Sequence, residues 1–105
     1  MQITSKEYDK EVNQSKIPVV LDFYADWCMP CKMMAPVFEK LSAQYEGKVK
    51  FLKVDVDSNP DLAGKFRVMG IPTLSIVHHG KEIERIVGFV PENTLKQKIN
   101  ESLSS

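Results

Sequence analysis

The run from Val19 to Ala25 constrains the fold of this chain more than any other segment. It reads Val-Val-Leu-Asp-Phe-Tyr-Ala and shows no alternation of apolar and polar residues. Its β-branched and aromatic residues favour a strand, and an apolar run without alternation indicates a strand buried on both faces. Such a strand requires helices packed on both sides of its sheet. The run therefore predicts a layered α/β domain.

Segments on either side of this run alternate between helix and strand patterns. Each predicted helix has a start signal, which is a capping box, the cysteine pair or a proline in the first turn. The helices are predicted to begin at Thr4-Ser5-Lys6-Glu7, at the cysteines, at Ser58-Asn59-Pro60-Asp61 and at Pro91-Glu92. The further strands are predicted at Val49–Val56, Thr73–Val77 and Ile83–Val87. With a short first strand, this order predicts a central mixed sheet of five strands flanked by four helices.

Length and charge exclude several classes of protein. The 105 residues suit a single domain, which we expect to span residues 1–105. Lys and Arg together number 14, as do Asp and Glu, so no excess of charge indicates a nucleic-acid or membrane partner. The N-terminus has no apolar segment of the kind that marks a secretion signal, and no apolar run is long enough to span a bilayer. We therefore expect a cytoplasmic protein. As a separate expectation, we take the chain to be a monomer.

Cys28 and Cys31 are the two cysteines of the chain and stand three residues apart. On a helix this spacing puts both thiols on one face. The free N–H groups and the positive dipole end at a helix start stabilise a thiolate, so Cys28 is predicted to be the reactive thiol. Cys31 lies one turn further on, where we expect it to be less exposed and able to attack a mixed disulfide formed on Cys28.

Metal or haem binding is a poorer interpretation of this pair. Zinc needs two further ligands, and the candidates are His78 and His79, which as sequence neighbours are expected to point in opposite directions. Attachment of c-type haem needs a histidine after the second cysteine, where Lys32 stands. A purely structural disulfide is uncommon in a reducing compartment. The pair therefore predicts thiol–disulfide exchange without a metal or a bound cofactor.

Two further features are unusual for a plain structural domain. Asp22 stands inside the apolar strand, where burial should raise the pKa of its carboxyl group. Either a hydrogen bond or Lys53 across the sheet satisfies this carboxylate, or Asp22 accepts the proton of Cys31 directly or through a water. The second feature is Ile71-Pro72-Thr73 at the head of a strand, which predicts a fixed turn with a cis bond before Pro72. Such a loop would expose backbone groups to an extended peptide.

Taken together, these residues resemble the thioredoxin family over essentially the whole chain. The similarity is carried mainly by the segment from Asp22 to Lys32 and by Gly70-Ile71-Pro72-Thr73. Shorter matches occur at Ala35-Pro36, Lys53-Val54-Asp55, Asn59-Pro60, Gly80 and Gly88. A bare C-x-x-C is a weak signal. The tryptophan before it, the aspartate in the preceding strand and the Gly-Ile-Pro-Thr after it make the combination specific.

The resemblance implies reduction of protein disulfides, with Cys28 as the attacking thiolate and Cys31 as the resolving thiol. It also implies that Asp22 assists proton transfer, that Lys53 tunes its charge and that Pro72 is the family's cis-proline beside the active site. We further expect an apolar rim that binds client proteins. Its predicted residues are Trp27, Met29, Pro30, Gly70, Ile71, Pro72 and Gly88, with Phe89 beside them. Three other methionines are interpreted as packing residues: Met33, Met34 and Met69.

The same resemblance implies the partners. Electrons would come from a thioredoxin reductase, either an NADPH-dependent flavoprotein or a ferredoxin-linked enzyme. Clients of the family include ribonucleotide reductase, peroxiredoxins and methionine sulfoxide reductases. The chain itself is expected to hold no cofactor and no metal.

The sequence departs from the family between the cysteines, where Met29-Pro30 replaces the usual Gly-Pro. This dipeptide lies against both sulfurs, so Met29 either changes thiolate stability and reduction potential or is a tolerated surface variant. Two alternative hypotheses therefore stay open. One is a more oxidising, isomerase-like protein, and the other is a binding module in which redox chemistry is incidental. Tyr24 stands at a position that is often tryptophan in the family.

Overall fold

In the computed structural model, which describes residues 1–104, one mixed sheet lies between two layers of helices. Ser105, the last residue of the predicted domain, lies outside the described residues. The helices are α1 (Ser5–Tyr8), which continues as a π-helical segment (Asp9–Asn13), α2 (Met29–Gln44), α3 (Pro60–Lys65) and α4 (Glu92–Ser104). The strands are β1 (Val19–Tyr24), β2 (Lys50–Asp55), β3 (Thr73–His78) and β4 (Lys81–Val87).

Strand β1 is central to the sheet, whose order is β2-β1-β3-β4. It pairs parallel with β2 and antiparallel with β3, and β3 pairs antiparallel with β4. The first five residues of β1 are buried, as the sequence predicted for a strand covered on both faces. The loop after Tyr24 leaves the sheet at the end of β1 and leads into α2, which begins at Met29.

Alternate residues of β1 enter two separate cores. Val20 packs with Phe38 of α2 and Leu95 of α4 on one face of the sheet. Leu21 and Phe23 pack on the opposite face, in the core that also holds buried residues of α1 and α3. Residues two apart on a strand share a face, so Asp22 and Tyr24 lie on the α2 side with Val20. The fold thus turns the one carboxylate of β1 toward the helix that carries the cysteines.

The sheet has four strands, so the prediction of five was wrong in this detail. The segment expected to form the first strand makes only an isolated parallel bridge between Gln2 and Lys53. Two hydrogen bonds support it, from Ile3 N to Lys53 O at 2.9 Å and from Lys53 N to Met1 O at 2.8 Å. The bridge stops there because Thr4 already caps α1, in the capping box that the sequence predicted.

The β3–β4 hairpin turns at His79 and Gly80, whose φ angles are 53° and 78°. The expectation that the two histidines point in opposite directions was wrong, because the rings of His78 and His79 stack with centroids 3.9 Å apart. Strand alternation no longer applies once His79 takes a left-handed conformation. The pair lies at the end of the sheet away from Cys28, since Val77 pairs with Val19 at the start of β1.

Candidate functional site

The two cysteines form a disulfide at the start of α2, with their Cα atoms 5.2 Å apart. Cys28 is the N-cap residue, and its Sγ accepts a hydrogen bond from the backbone N–H of Cys31 at 3.2 Å. A helix start leaves its first N–H groups without backbone partners, and a negatively charged atom there is stabilised. Cys28 therefore occupies the position that the sequence predicted for a stabilised thiolate.

Both sulfur-bearing residues are largely covered by their surroundings. Cys28 is 5% exposed and Cys31 is 4% exposed, so the expected difference between them is small in the disulfide form. They pack with buried Ala25 and against the partly buried side chains of Val56 and Ile71. Little of either cysteine is therefore open to solvent in the disulfide form.

One of these loops carries the cis peptide bond that the sequence predicted, between Ile71 and Pro72. The carbonyl oxygen of Ile71 lies 3.8 Å from Sγ of Cys28. The carbonyl oxygen of Pro72 accepts a hydrogen bond from Gly88 N at 2.7 Å, and Gly88 has a φ of 90° that suits glycine. Gly70 also lies here, and its carbonyl oxygen accepts a hydrogen bond from Oγ1 of Thr73. The loop is therefore tied to the sheet on both sides of the contact with Cys28.

A groove of about 220 Å³ adjoins this loop. Its lining is mostly apolar and comprises Trp27, Val56, Ala63, Val68, Met69, Gly70 and Ile71. The indole N–H of Trp27 donates to Oδ2 of Asp57 at 2.9 Å, which fixes the ring at one side of the groove. Sequence reasoning missed Asp57, and a lone acidic residue in a loop gives no signal that it orients a distant tryptophan.

The methionines were only partly predicted. Met34 is buried, which agrees with its interpretation as a packing residue. That interpretation was wrong for Met33, which is exposed, and for Met69, which is 96% exposed. Met29 is 64% exposed at the first position of α2. Of the exposed methionines, Met29 and Met33 lie in the first turns of α2 and Met69 lies on the loop before Gly70, whereas exposed Met1 is at the N-terminus.

Only some residues of the predicted rim line the groove. Trp27, Gly70 and Ile71 line it, whereas Met29, Pro30 and Phe89 are outside its described lining. Met29 and Pro30 instead lie exposed between the two cysteines, and Phe89 follows Gly88 at the end of β4. A partner that reaches Cys28 would therefore meet α2 on one side and the groove on the other.

Asp22 is 1% exposed and lies in register with Lys53 on β2 and with Leu74 on β3. Neither of its carboxylate oxygens has a hydrogen-bond partner among the described residues. Burial raises the pKa of Asp22 from 3.8 to about 7, while the nearby charge of Lys53 acts in the opposite direction. Asp22 therefore gains and loses its proton near neutral pH.

Lys53 does not satisfy Asp22 by a hydrogen bond. Its Nζ lies over the ring of Tyr24, 4.5 Å from the ring centroid. Both side chains line a cleft of about 110 Å³ together with Cys31 and Asp26. The cleft connects Cys31 with the lysine that lies in register with Asp22.

A disulfide whose first cysteine caps a helix beside an apolar groove is the arrangement of one class of protein, the thiol–disulfide oxidoreductases. Comparison with known proteins agrees. The sequence profile of the Thioredoxin family matches residues 1–101. The chain is 43% identical to Thioredoxin 1 of Nostoc sp. over 102 residues, which cover 97% of this chain and 95% of that protein. It is 45% identical to a thioredoxin of Staphylococcus aureus over 103 residues, covering 98% and 97%. The chain belongs to the thioredoxin family.

Within residues 1–104, no three His, Cys, Asp or Glu side chains cluster in a way that would hold a metal ion. No helix in that part of the chain has both the length and the apolar character needed to cross a bilayer.

Proposed function

We propose that this protein is an electron donor that reduces the disulfides of client proteins through Cys28 and Cys31. The observation that carries the proposal is the position of Cys28 as the N-cap of α2, where the Cys31 N–H points at its sulfur. In the reduced protein the same N–H and the helix dipole would stabilise the Cys28 thiolate. Cys28 is therefore the attacking group, and Cys31 is the resolving group.

The first step forms a mixed disulfide. The Cys28 thiolate attacks one sulfur of the client disulfide, the client S–S bond breaks, and the other client sulfur leaves as a thiolate. The contact between Cys28 Sγ and the carbonyl of Ile71 supports an approach of the client along this loop. An extended client segment there would lie along the cis-proline loop and next to the groove.

The second step releases the client. The Cys31 thiol loses its proton and attacks the Cys28 sulfur, the mixed disulfide breaks, and the client leaves fully reduced by two electrons. The protein is left with the Cys28–Cys31 disulfide. Asp22 is proposed to accept the Cys31 proton, because its pKa of about 7 suits a base that works near neutral pH.

The route of that proton is proposed to include a water. The cleft of about 110 Å³ beside Cys31 has room for water, since one water occupies roughly 30 Å³ in the liquid, and it extends from Cys31 to Lys53, the register partner of Asp22. Lys53 lines the same cleft and lies in register with Asp22, so its charge lowers the pKa that burial raises. Lys53 is therefore proposed to tune Asp22 rather than to react.

Client binding is proposed to use the exposed surface around Cys28. Apolar contacts would come from the groove and from the start of α2, and backbone contacts from the cis-proline loop. The proposed residues are Trp27, Met29, Pro30, Gly70, Ile71, Pro72 and Gly88. Met69 joins this set on the basis of its exposure in the groove wall. Methionine side chains adapt to differently shaped partners, which suits a protein with many clients.

Family membership suggests the partners and the setting. We propose that residues 1–105 act as one monomeric thioredoxin domain in the reducing cytoplasm, with no bound cofactor. Electrons would come from a thioredoxin reductase that uses NADPH and flavin or from a ferredoxin-linked one. Ribonucleotide reductase, peroxiredoxins and methionine sulfoxide reductases are the client classes we propose.

Reduction of insulin tests this function directly. With NADPH and a bacterial thioredoxin reductase, catalytic amounts of the protein should oxidise NADPH in proportion to the insulin disulfides reduced. Dithiothreitol in place of the reductase serves as the control, because it separates failure to accept electrons from failure to reduce the client. The proposal would be refuted if the protein did not accelerate insulin reduction, with either electron donor, above the rate that the donor gives alone.

A second candidate, the isomerase-like protein, rests on the exposed Met29 between the cysteines. We expect the midpoint potential, measured against glutathione, to lie near the value of about −270 mV known for thioredoxin. A value near the −180 mV of protein disulfide isomerase would instead favour the second candidate. Met29→Gly is the matched variant, because it restores the usual Gly-Pro pair without touching either sulfur. An unchanged potential in that variant would make Met29 a surface variant without a redox role.

A further inference from the structure

The side chain of Lys53 has three charged or aromatic neighbours with which it could interact. Asp22 lies directly opposite Lys53 in the β1–β2 register, Tyr24 is two residues further along β1, and Asp55 is two residues further along β2. All four share one face of the sheet, because side chains two apart on a strand point the same way. The ammonium group lies over Tyr24, with Nζ 4.5 Å from the ring centroid.

With its ammonium group over Tyr24, Lys53 forms no hydrogen bond with Asp22, although the two residues are partners in the strand register. A buried carboxylate opposite a lysine would be expected to form a contact ion pair, since a buried charge is costly when it is unpaired. Both Asp22 oxygens nevertheless accept no hydrogen bond from any described residue. The face of an aromatic ring attracts a cation through its quadrupole, so Tyr24 competes with Asp22 for the same ammonium group.

We propose that Tyr24 is a positioning residue whose ring holds the Lys53 ammonium at the cleft beside Cys31 and out of contact with the Asp22 carboxylate. The inference builds on the proposed role of Asp22 as a proton acceptor. An ion pair with Lys53 would hold Asp22 ionised and make it a weak base. With the ammonium on the ring, the carboxylate stays unpaired and ready to take a proton.

Other charged groups also lie close to Tyr24 and Lys53. Asp26 follows β1 and Asp55 ends β2, and both are close enough to raise the pKa of the Tyr24 hydroxyl, although burial has the larger effect on it. Lys32 and Cys31 of α2 line the cleft from its other side. On the β3 side, Asp22 faces Leu74, which carries no charge. Lys53 is therefore the cation in register with Asp22, and the position of its ammonium group determines how far it lowers the Asp22 pKa.

The experiment measures the pKa of the Asp22 carboxyl group by carbon-detected NMR titration of the oxidised full-length protein. Tyr24→Leu removes the ring face and should let the ammonium approach Asp22, so the Asp22 pKa should fall by about 1 or more. Tyr24→Phe keeps the ring and should leave the pKa within a few tenths of the parent value. Repeating Tyr24→Leu together with Lys53→Met should remove the fall, because no ammonium remains to move.

A second substitution keeps the test decisive if Tyr24→Leu does not fold. Pentafluorophenylalanine at position 24 retains the shape of phenylalanine but reverses the charge distribution over the ring face, so it should lower the Asp22 pKa relative to Tyr24→Phe. An unchanged or raised Asp22 pKa on loss of the ring, or a fall that persists with Lys53→Met, would overturn the inference. These readouts do not depend on turnover, so they separate this inference from the proposed function.

Discussion

Cys28→Ser is expected to reduce the rate of insulin reduction to that of the reductant alone, without loss of the fold. Serine cannot form the mixed disulfide on which the whole reaction depends. The fold should survive because serine is among the best N-cap residues, and its Oγ can accept the hydrogen bond that Cys28 Sγ accepts from Cys31 N. NADPH consumption measures the activity, and circular dichroism on the same sample measures the fold.

Cys31→Ser should fail differently, and this contrast distinguishes the two cysteines. The Cys28 thiolate can still attack a client, but no resolving thiol completes the exchange. Client proteins should therefore accumulate as disulfide-linked adducts on Cys28, visible on a non-reducing gel and released by dithiothreitol. Cys28→Ser is the matched control and should trap few adducts. If that variant trapped clients as well as Cys31→Ser does, the assigned roles would be wrong.

Different roles for Cys28 and Cys31 could be predicted from the sequence because the signals for them are local. A cysteine followed two residues later by proline indicates a helix start, and the pKa of a thiol there follows from helix geometry. Burial of Asp22 was equally local, since its six neighbours in the run are apolar or aromatic. Such features depend on a few adjacent residues, and the structure places Cys28 at the start of α2 and buries Asp22.

The features that were missed depend on tertiary contacts. Met33 and Met69 are apolar residues, but Met33 lies on an exposed part of the surface of α2 and Met69 lies on the exposed loop before Gly70. The orientation of Trp27 depends on Asp57, thirty residues away along the chain. The first strand is a single bridge because the cap at Thr4 follows too soon, which is a competition between two local signals. A sequence pattern does not show which of two competing signals prevails in the folded chain.

The position of Lys53 is the clearest example. Its register with Asp22 could be anticipated from the two adjacent parallel strands, and an ion pair was one of two interpretations. The side chain instead lies over Tyr24. Cation–π attraction and an ion pair have similar strengths once desolvation is counted, so the choice between them is decided by geometry.

Asp22→Asn is expected to stabilise the protein, by an amount that grows with pH. Folding raises the pKa of Asp22 from 3.8 to about 7, so between these values the folded state binds a proton that the unfolded state has released. Stability of the parent protein therefore falls as pH rises through this window. The full penalty is about 4 kcal/mol at 1.36 kcal/mol per pKa unit, and asparagine, which does not ionise, escapes it.

Urea unfolding of the two oxidised proteins at several values between pH 4 and pH 8 measures this gain. Within this range the difference in unfolding free energy should be smallest near pH 4, where folded Asp22 is protonated and unfolded Asp22 is only partly ionised, and it should level off above pH 7. Asp26→Asn is the matched control, since it removes an exposed carboxylate from the loop after β1. Parallel stability curves for Asp22→Asn and the parent would show that folding does not raise the pKa of Asp22.

The same substitution should slow the resolving step while it stabilises the fold. Loss of a general base costs on the order of 10² in rate, so mixed disulfides should persist longer in Asp22→Asn than in the parent. The defect should be largest near neutral pH and shrink toward pH 9, because a thiol with an ordinary pKa of about 8.5 then ionises without help. Stopped-flow tryptophan fluorescence of the single Trp27, beside Cys28, would follow the step. A rate defect that does not change with pH would assign Asp22 a structural effect rather than proton transfer.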